Sequence, residues 1–262
     1  MRDISVGIIG GNNGMGRWFA DLLQKEGYTV HVCGRKTALS IGDIVKLCNV
    51  VVVSVPIAAT ADIIKQVGPL MKDDSLLMDL TSLKKEPVEL MLAHCRAEVI
   101  GCHPLFGPAL ADVKGQNVVL CPARGKSWHD WLTNLLEKSG LVVTEKTPEE
   151  HDEMMAIIQV LNHLNTIALG FVLAETGIEL AEIKKYSTPI FQTKVEIIKK
   201  VFTESPELYA DIIARNPDTE KMLSLYEKAL ADIRALVKSG DGTQLKEAIG
   251  KAAKKLYGRE NK

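Results

Sequence analysis

The chain has 262 residues, 32 Lys+Arg against 33 Asp+Glu, 46% hydrophobic residues and 5% aromatics, enough for one large domain or two ordinary ones around a real core. A formal charge of −1 excludes recognition of nucleic acid or an anionic membrane by bulk charge, and no uninterrupted apolar run approaches the ~18 residues of a membrane span. No signal-peptide core follows Met1-Arg2-Asp3-Ile4 and the five scattered cysteines (Cys33, Cys48, Cys95, Cys102, Cys121) form no C-x-x-C pair, so a cytoplasmic protein with reduced thiols is expected.

The first β-branched run is Ile4 to Ile9. It leads directly into Gly10, Gly11, Asn12, Asn13, Gly14, Met15 and Gly16, which open a helical pattern with Trp18, Phe19, Leu22 and Leu23 at one-face spacing. A glycine-rich turn between strand and helix presents bare backbone N–H groups and a helix N-terminus to a pyrophosphate. Read as G-x-G-x-x-G ending at Gly16, Asn13 replaces the middle glycine; Asn tolerates left-handed backbone, but its side chain crowds the approach. The bland alternative is an ordinary turn, and the strand-turn-helix context favours a dinucleotide.

The second run, Thr29 to Val32, ends in Cys33-Gly34-Arg35-Lys36. NAD-binding domains place an acid there for the ribose 2′-hydroxyl. Arg35 and Lys36 would instead receive a 2′-phosphate, so NADP is the expected cofactor, with NAD the other candidate. The third run is Val50 to Val55, and Ser54 and Pro56 at its end complete the expected cofactor-binding set.

Further runs cover residues 75–79, 98–101, 117–120 and 141–144. Near-continuous apolar runs suit strands buried on both faces. Alternation with helices over roughly 145 residues predicts a Rossmann-like, doubly wound, mostly parallel α/β sheet. Two segments stand at strand ends on the ligand-binding edge of such a sheet: Asp79-Leu80-Thr81-Ser82-Leu83-Lys84, and His103-Pro104-Leu105-Phe106-Gly107-Pro108. A neutral imidazole suits proton abstraction near pH 7. Taken singly, Ser82 could equally be a helix cap and His103 a satisfied polar residue.

The pattern changes at Thr147-Pro148-Glu149-Glu150, a helix start with a capping box and Pro at the first position. Beyond it no convincing strand follows, and an all-helical second domain is expected. The predicted division is a dinucleotide-binding domain over 1–147 and a helical substrate-binding and dimerisation domain over 148–262. The helix from Thr147 to about Thr176 carries Ile157, Leu161, Leu164 and Phe171 among many apolar residues. That surface is too broad for one partner face, so burial under later helices or against a second subunit is expected.

Together these segments resemble the prephenate/arogenate dehydrogenases of tyrosine biosynthesis. The resemblance rests on the glycine turn, Asp79-x-x-Ser82-x-Lys84, the His103–Pro108 element, His151-Asp152 with Gln159-x-x-x-His163, Ser187-Thr188-Pro189-Ile190-Phe191, and Glu207-Leu208-Tyr209-Ala210-Asp211-Ile212-Ile213. It implies oxidative decarboxylation of prephenate or arogenate with a nicotinamide cofactor, in a homodimer joined through the helical domain. It further implies that His103 takes the substrate's C4 hydroxyl proton, with an ionisation near 6–7, and that Ser82 hydrogen-bonds beside it. His151, Gln159 and His163 would form a stripe of about 120° along one helix, lining the substrate cleft. No metal is expected. With the first run starting at residue 4 and the tail after residue 240 short, neither a preceding chorismate mutase domain nor a following ACT domain is expected.

Two departures from the family pattern stand out. Gln192 occupies the position after Pro-Ile-aromatic where members often carry a carboxylate-binding Arg, with Lys194 two residues on as the available cation; an amide makes no bidentate charged pair. Ala109 stands where another branch carries an acid. The competing functions are a β-hydroxyacid-type dehydrogenase or imine reductase, and a non-catalytic NADP-binding regulator.

Overall fold

The computed structural model describes residues 4–258; Met1, Arg2, Asp3 and positions 259–262 lie outside the described residues. Seven strands form one sheet in the order β2–β1–β3–β4–β5–β6–β7. They are β1 (Ser5–Ile9), β2 (Thr29–Cys33), β3 (Val50–Val53), β4 (Leu76–Asp79), β5 (Glu98–Pro104), β6 (Asn117–Arg124) and β7 (Val142–Glu145). Helices α1 (Gly14–Lys25), α2 (Ile41–Leu47), α3 (Ile57–Val67), α4 (Lys85–His94) and α5 (Ser127–Lys138) connect them. All neighbours are parallel except β5 and β6. The Rossmann-like, mostly parallel sheet is therefore present, and its reversal point between β1 and β3 is where such sheets open a ligand crevice.

Period-2 alternation explains the two cores. Val6, Ile8, Val50, Val52, Leu76 and Met78 bury one face with Phe19, Leu23 and Leu132. Val51, Val53, Leu77 and Val99 bury the other with Ile44, Ile64, Val88 and Met91. Each such side chain contributes about 1.5–3 kcal/mol on burial, which makes the central strands a rigid platform. Three strand ends differ from expectation by two residues or more; one is that of β6, which runs on to Arg124. The third strand stops at Val53, leaving Ser54 and Val55 in the turn; β5 runs on to Pro104, because the reversed β6 pairs His103 with Val119 and Pro104 with Val118. All five cysteines are free and buried, and burial pushes the thiols of Cys48 and Cys121 up to about 11 and about 12.

Beyond Glu145 the described residues contain helices and no strand. Thr147 and Glu150 form the expected capping box at the start of α6 (Pro148–Met155). A π-helical segment, Ala156–Leu161, joins it to α7 (Asn162–Glu175). The resulting 28-residue helix is long and apolar enough, by length and composition, to cross a membrane. Gln159, Asn162, His163 and Asn165 interrupt its apolar run, as expected, without making the stretch polar on average. Burial within this chain is less than expected, since Ile157, Ile158, Phe171 and Val172 are at least half exposed. There follow α8 (Leu180–Lys185), α9 (Pro189–Lys199), a second π-helical segment (Lys200–Glu204) and α10 (Pro206–Arg215).

By packing, the chain divides into two compact units, Met1–Pro217 and Asp218–Lys262. The second is a helix pair, α11 (Thr219–Val237) and α12 (Thr243–Tyr257). The turn between them is closed by Asp241, whose carboxylate accepts from the Thr243 backbone N–H (3.1 Å) and hydroxyl (2.8 Å).

Candidate active site

A cavity of about 1180 Å³ opens at the carboxyl ends of the strands. Gly10, Asn12, Asn13, Gly14 and Met15 line one end of it, beside Arg35, Lys36, Ser40, Ser54 and Pro56. Gly10 has φ +89°, and a Cβ there would meet the Ser54 carbonyl oxygen at 2.1 Å, so no other residue fits. Gly14 has φ +57° with nothing within 4 Å of where its Cβ would stand, which leaves the backbone open to a bound group. Asn13, the N-cap of α1, makes no side-chain bond to the first turn, and uncapped amides at a helix start suit a phosphate. This cradle fits a dinucleotide. Gly11 and Gly16 do not line the cavity; both are buried, and a Gly16 Cβ would meet the Gly10 oxygen at 2.9 Å. They bring helix and strand together beneath the phosphate turn.

Ser82 and His103 line the middle of the same cavity. Behind them lies a buried polar network. The Lys84 ammonium pairs with the Asp79 carboxylate, both side chains having no exposure, and also donates to the Cys102 carbonyl at 3.1 Å. The Thr81 N–H donates to the same Asp79 oxygen at 2.9 Å. The Asp-x-x-Ser-x-Lys spacing thus ties the end of β4 to β5 one residue before His103. His103 Nδ1 lies 2.8 Å from His151 Nε2, and His151 Nδ1 lies 2.7 Å from Asp152 Oδ1. Asp152 in turn accepts the backbone N–H groups of Lys84 (2.8 Å) and Lys85 (3.0 Å) at the start of α4. Burial, with His151 and the Lys84 ammonium beside it, holds His103 well below the ordinary imidazole range. This corrects the expected ionisation near 6–7. Burial lowers His151 too, against the opposing Asp152 hydrogen bond.

The helical wall departs most from expectation. Gln159 and His163 reach the cavity, whereas His151 does not: it is buried behind His103. His151 stands eight residues before Gln159, about 12 Å along the helix, where the adjacent Asp152 holds the start of α4. Gln159 Oε1 is buried without a hydrogen-bond partner in the structure. Burial lowers His163, whose ring meets Tyr209 edge-on at 4.7 Å. Gln192 and Lys194 are exposed on α9 and lie outside the cavity lining. On the helical side the cation that lines it is Lys200, at the start of the second π-helical segment, with Ser205, Leu208 and Tyr209 after it. Sequence reasoning missed Lys200 because a lysine in a helix usually reads as a solvated face; its position just before Phe202 and the Ser205-Pro206 break was the available signal.

Two family models match the chain. "Prephenate dehydrogenase, nucleotide-binding domain" covers residues 32–145 and "Prephenate dehydrogenase, dimerization domain" residues 147–251. The "Probable arogenate/prephenate dehydrogenase" of Methanocaldococcus jannaschii is 33% identical, over 96% of this chain and 61% of that protein. The "T-protein" of Enterobacter agglomerans is 34% identical, over 90% of this chain and 63% of its own length. The chain thus spans about three fifths of the length of these relatives. Its fold is similar to that of the crystal structure of prephenate dehydrogenase from A. aeolicus in complex with hydroxyphenyl propionate and NAD+, with a TM-score of 0.78 at 21% identity, covering 100% of this chain and 99% of that one. With both halves matched in order, on a nucleotide-binding sheet that holds His103 and Ser82 in one cavity, the chain belongs to the prephenate dehydrogenase family.

Proposed function

We propose that this chain is an NADP-preferring dehydrogenase that oxidatively decarboxylates prephenate or arogenate, acting as a cytoplasmic homodimer. The observation that carries the reading is the convergence of the phosphate cradle, Ser82, His103 and Lys200 on one cavity. In this reading residues 1–147 hold the nucleotide and 148–262 supply the substrate wall and the dimer face. Gly10, Asn12, Asn13, Gly14 and Met15 take the pyrophosphate, with Gly11 and Gly16 beneath them; Ser54 and Pro56 flank it, and Arg35 and Lys36 take the 2′-phosphate. When bound, the nicotinamide supplies the acceptor for the hydride that leaves substrate C4. His103 accepts the C4 hydroxyl proton, and Ser82 donates to the oxygen that becomes a carbonyl. Lys200 takes the place expected for Gln192 or Lys194 as the cation facing a substrate carboxylate. Gln159 and His163 supply polar contacts beside it. Loss of the ring carboxylate as CO2 is driven by aromatisation, so these residues need only orient C4 and bind the developing charge.

Support for the dimer is the matching dimerization-domain model together with the exposed apolar residues of the 148–175 helix. The activity is tested by following reduced-nicotinamide absorbance with prephenate, arogenate and a short 2-hydroxy acid in parallel. Turnover of either of the first two is expected; turnover of the hydroxy acid alone would overturn the reading. Light scattering at micromolar concentration should give twice the chain mass.

A further inference from the structure

We infer that His151 and Asp152 are positioning residues that hold His103 in a single tautomer, with its proton on Nδ1 and a bare Nε2 turned to the cavity. The inference rests on the activity proposed above for its consequence, but not for its geometry. The direction of each hydrogen bond follows from groups whose role is unambiguous. The backbone N–H groups of Lys84 and Lys85 can only donate, and they reach the two Asp152 oxygens at 2.8 and 3.0 Å. A carboxylate met by two donors at the start of α4 is an acceptor. The proton in the 2.7 Å contact between Asp152 Oδ1 and His151 therefore sits on His151 Nδ1.

A neutral imidazole carries one N–H, so His151 Nε2 is then a bare lone pair. The nitrogen facing it at 2.8 Å, His103 Nδ1, must donate. Neutral His103 in turn keeps no proton on Nε2, the nitrogen remote from His151, in a ring that lines the cavity. The charged groups facing this pair are Asp152 on α6 itself, Asp79 at the end of β4 and Lys84 just before α4. Burial disfavours the charged form of both rings, and with both rings neutral the 2.8 and 2.7 Å contacts admit only this pair of tautomers.

The consequence for the reaction is directional. As the substrate O–H bond breaks, its proton forms the Nε2–H bond of His103, and the oxygen's electron pair becomes the carbonyl as C4 loses hydride to the nicotinamide. The imidazolium so formed keeps its Nδ1–H on the His151 lone pair, one ring away from the Asp152 carboxylate. With His151 in the opposite tautomer, its Nε2–H would face His103 Nδ1 and push the His103 proton onto Nε2. A donor would then stand where the acceptor is needed.

The test uses the full-length protein labelled with 15N-histidine, free of ligands, at neutral pH. Two-bond 15N–1H correlation spectra distinguish the tautomers, with signals assigned from His103→Asn and His151→Phe. Both His103 and His151 are expected with protonated Nδ1 and unprotonated Nε2; a protonated Nε2 on His103 overturns the inference. Kinetics add a second arm. His151→Phe should lower kcat by at least about tenfold, on a scale bounded by the about 10⁴-fold loss seen when a triad histidine is held in the wrong tautomer. Substrate KM and cofactor Kd should stay within about threefold of wild type, because the catalytic base would be misdirected while the binding groups are untouched. His151→Gln, whose carbonyl oxygen can accept the same Nδ1–H bond, should recover part of the rate, and an unaffected kcat in His151→Phe would overturn the proposal. If His151→Phe fails to fold, the wild-type spectrum still decides. A wild type that turns over neither prephenate nor arogenate counts against the activity; an Nε2-protonated His103 in an active enzyme counts against this inference alone.

Discussion

The two walls of the cavity are built on different rules. On the strand side, Gly10, Ser54, Ser82 and His103 stand where parallel strands end, and their convergence follows from the topology of a doubly wound sheet. On the helical side, Gln159 and Lys200 lie in the two π-helical segments, so their direction depends on local departures from 3.6 residues per turn. The first wall can be read from residue type and strand spacing. Reading the second needs the rotation that an inserted residue imposes on everything after it.

The sharpest way to break the comparison is at the strand wall. His103→Asn should lower kcat with prephenate or arogenate by about 10²–10⁴-fold, with little change in cofactor Kd, since a general base is worth that much. Steady-state kinetics with a fluorescence titration of the cofactor check both halves of the statement. Beneath that wall, Lys84→Met would leave the buried Asp79 carboxylate unpaired. Denaturant unfolding should show a loss of about 3–5 kcal/mol, the range for stranding one partner of a buried pair.

The helical wall is tested by Lys200→Ala beside Lys194→Ala. Loss of a charged hydrogen bond to a substrate carboxylate, about 1.5–3 kcal/mol, should raise KM roughly ten- to hundredfold for Lys200 and barely move it for Lys194. Equal effects would mean that the π-helical segment does not select the cation. At the cofactor end, Arg35→Ala should reduce the NADP-over-NAD ratio of kcat/KM by roughly tenfold, the worth of one such bond. An unchanged ratio would remove Arg35 from the site.

Acid sensitivity joins the two walls. His103, His151 and His163 all have folded values lowered from 6.5 by burial. The unfolded chain takes up protons near that ordinary value, while the folded chain resists until lower pH. Stability should therefore fall as pH drops through and below about 6.5, seen as a falling Tm between pH 7 and 5. The base form of His103 should persist below the usual imidazole range, so the acid limb of kcat/KM should lie lower than 6.5. A limb at or above 6.5 would contradict the burial of His103.

How much was legible in the sequence differs residue by residue. The β-branched runs located all seven strands; the inner ones, buried on both faces, have little freedom of composition. Ser82 and His103 were legible from their place at strand ends, and Thr147-Pro148-Glu149-Glu150 from its capping chemistry. His151 was assigned to the substrate stripe because it shares a helix with Gln159 and His163; its place behind His103 is set by tertiary contacts with β5 and, through Asp152, the start of α4, which its own residues do not announce. Lys200 was hidden because a lysine in a helical pattern reads as a solvated face. The antiparallel pairing of β6 was also not legible, since it is set by where the connection from residue 105 to 116 returns rather than by the strand's own residues.

That reversal has a consequence for the entropy of catalysis. Because β6 runs back along β5, the main chain at His103 lies within a hydrogen-bonded ladder, paired to Val119 with Pro104 paired to Val118, and is not part of a loop. The peptide units around the base are therefore immobilised when the protein folds. Fixing a residue's backbone costs about 1–2 kcal/mol, and at this position the cost falls on folding and is absent when substrate arrives. The catalytic nitrogen meets each new substrate with its backbone already in place.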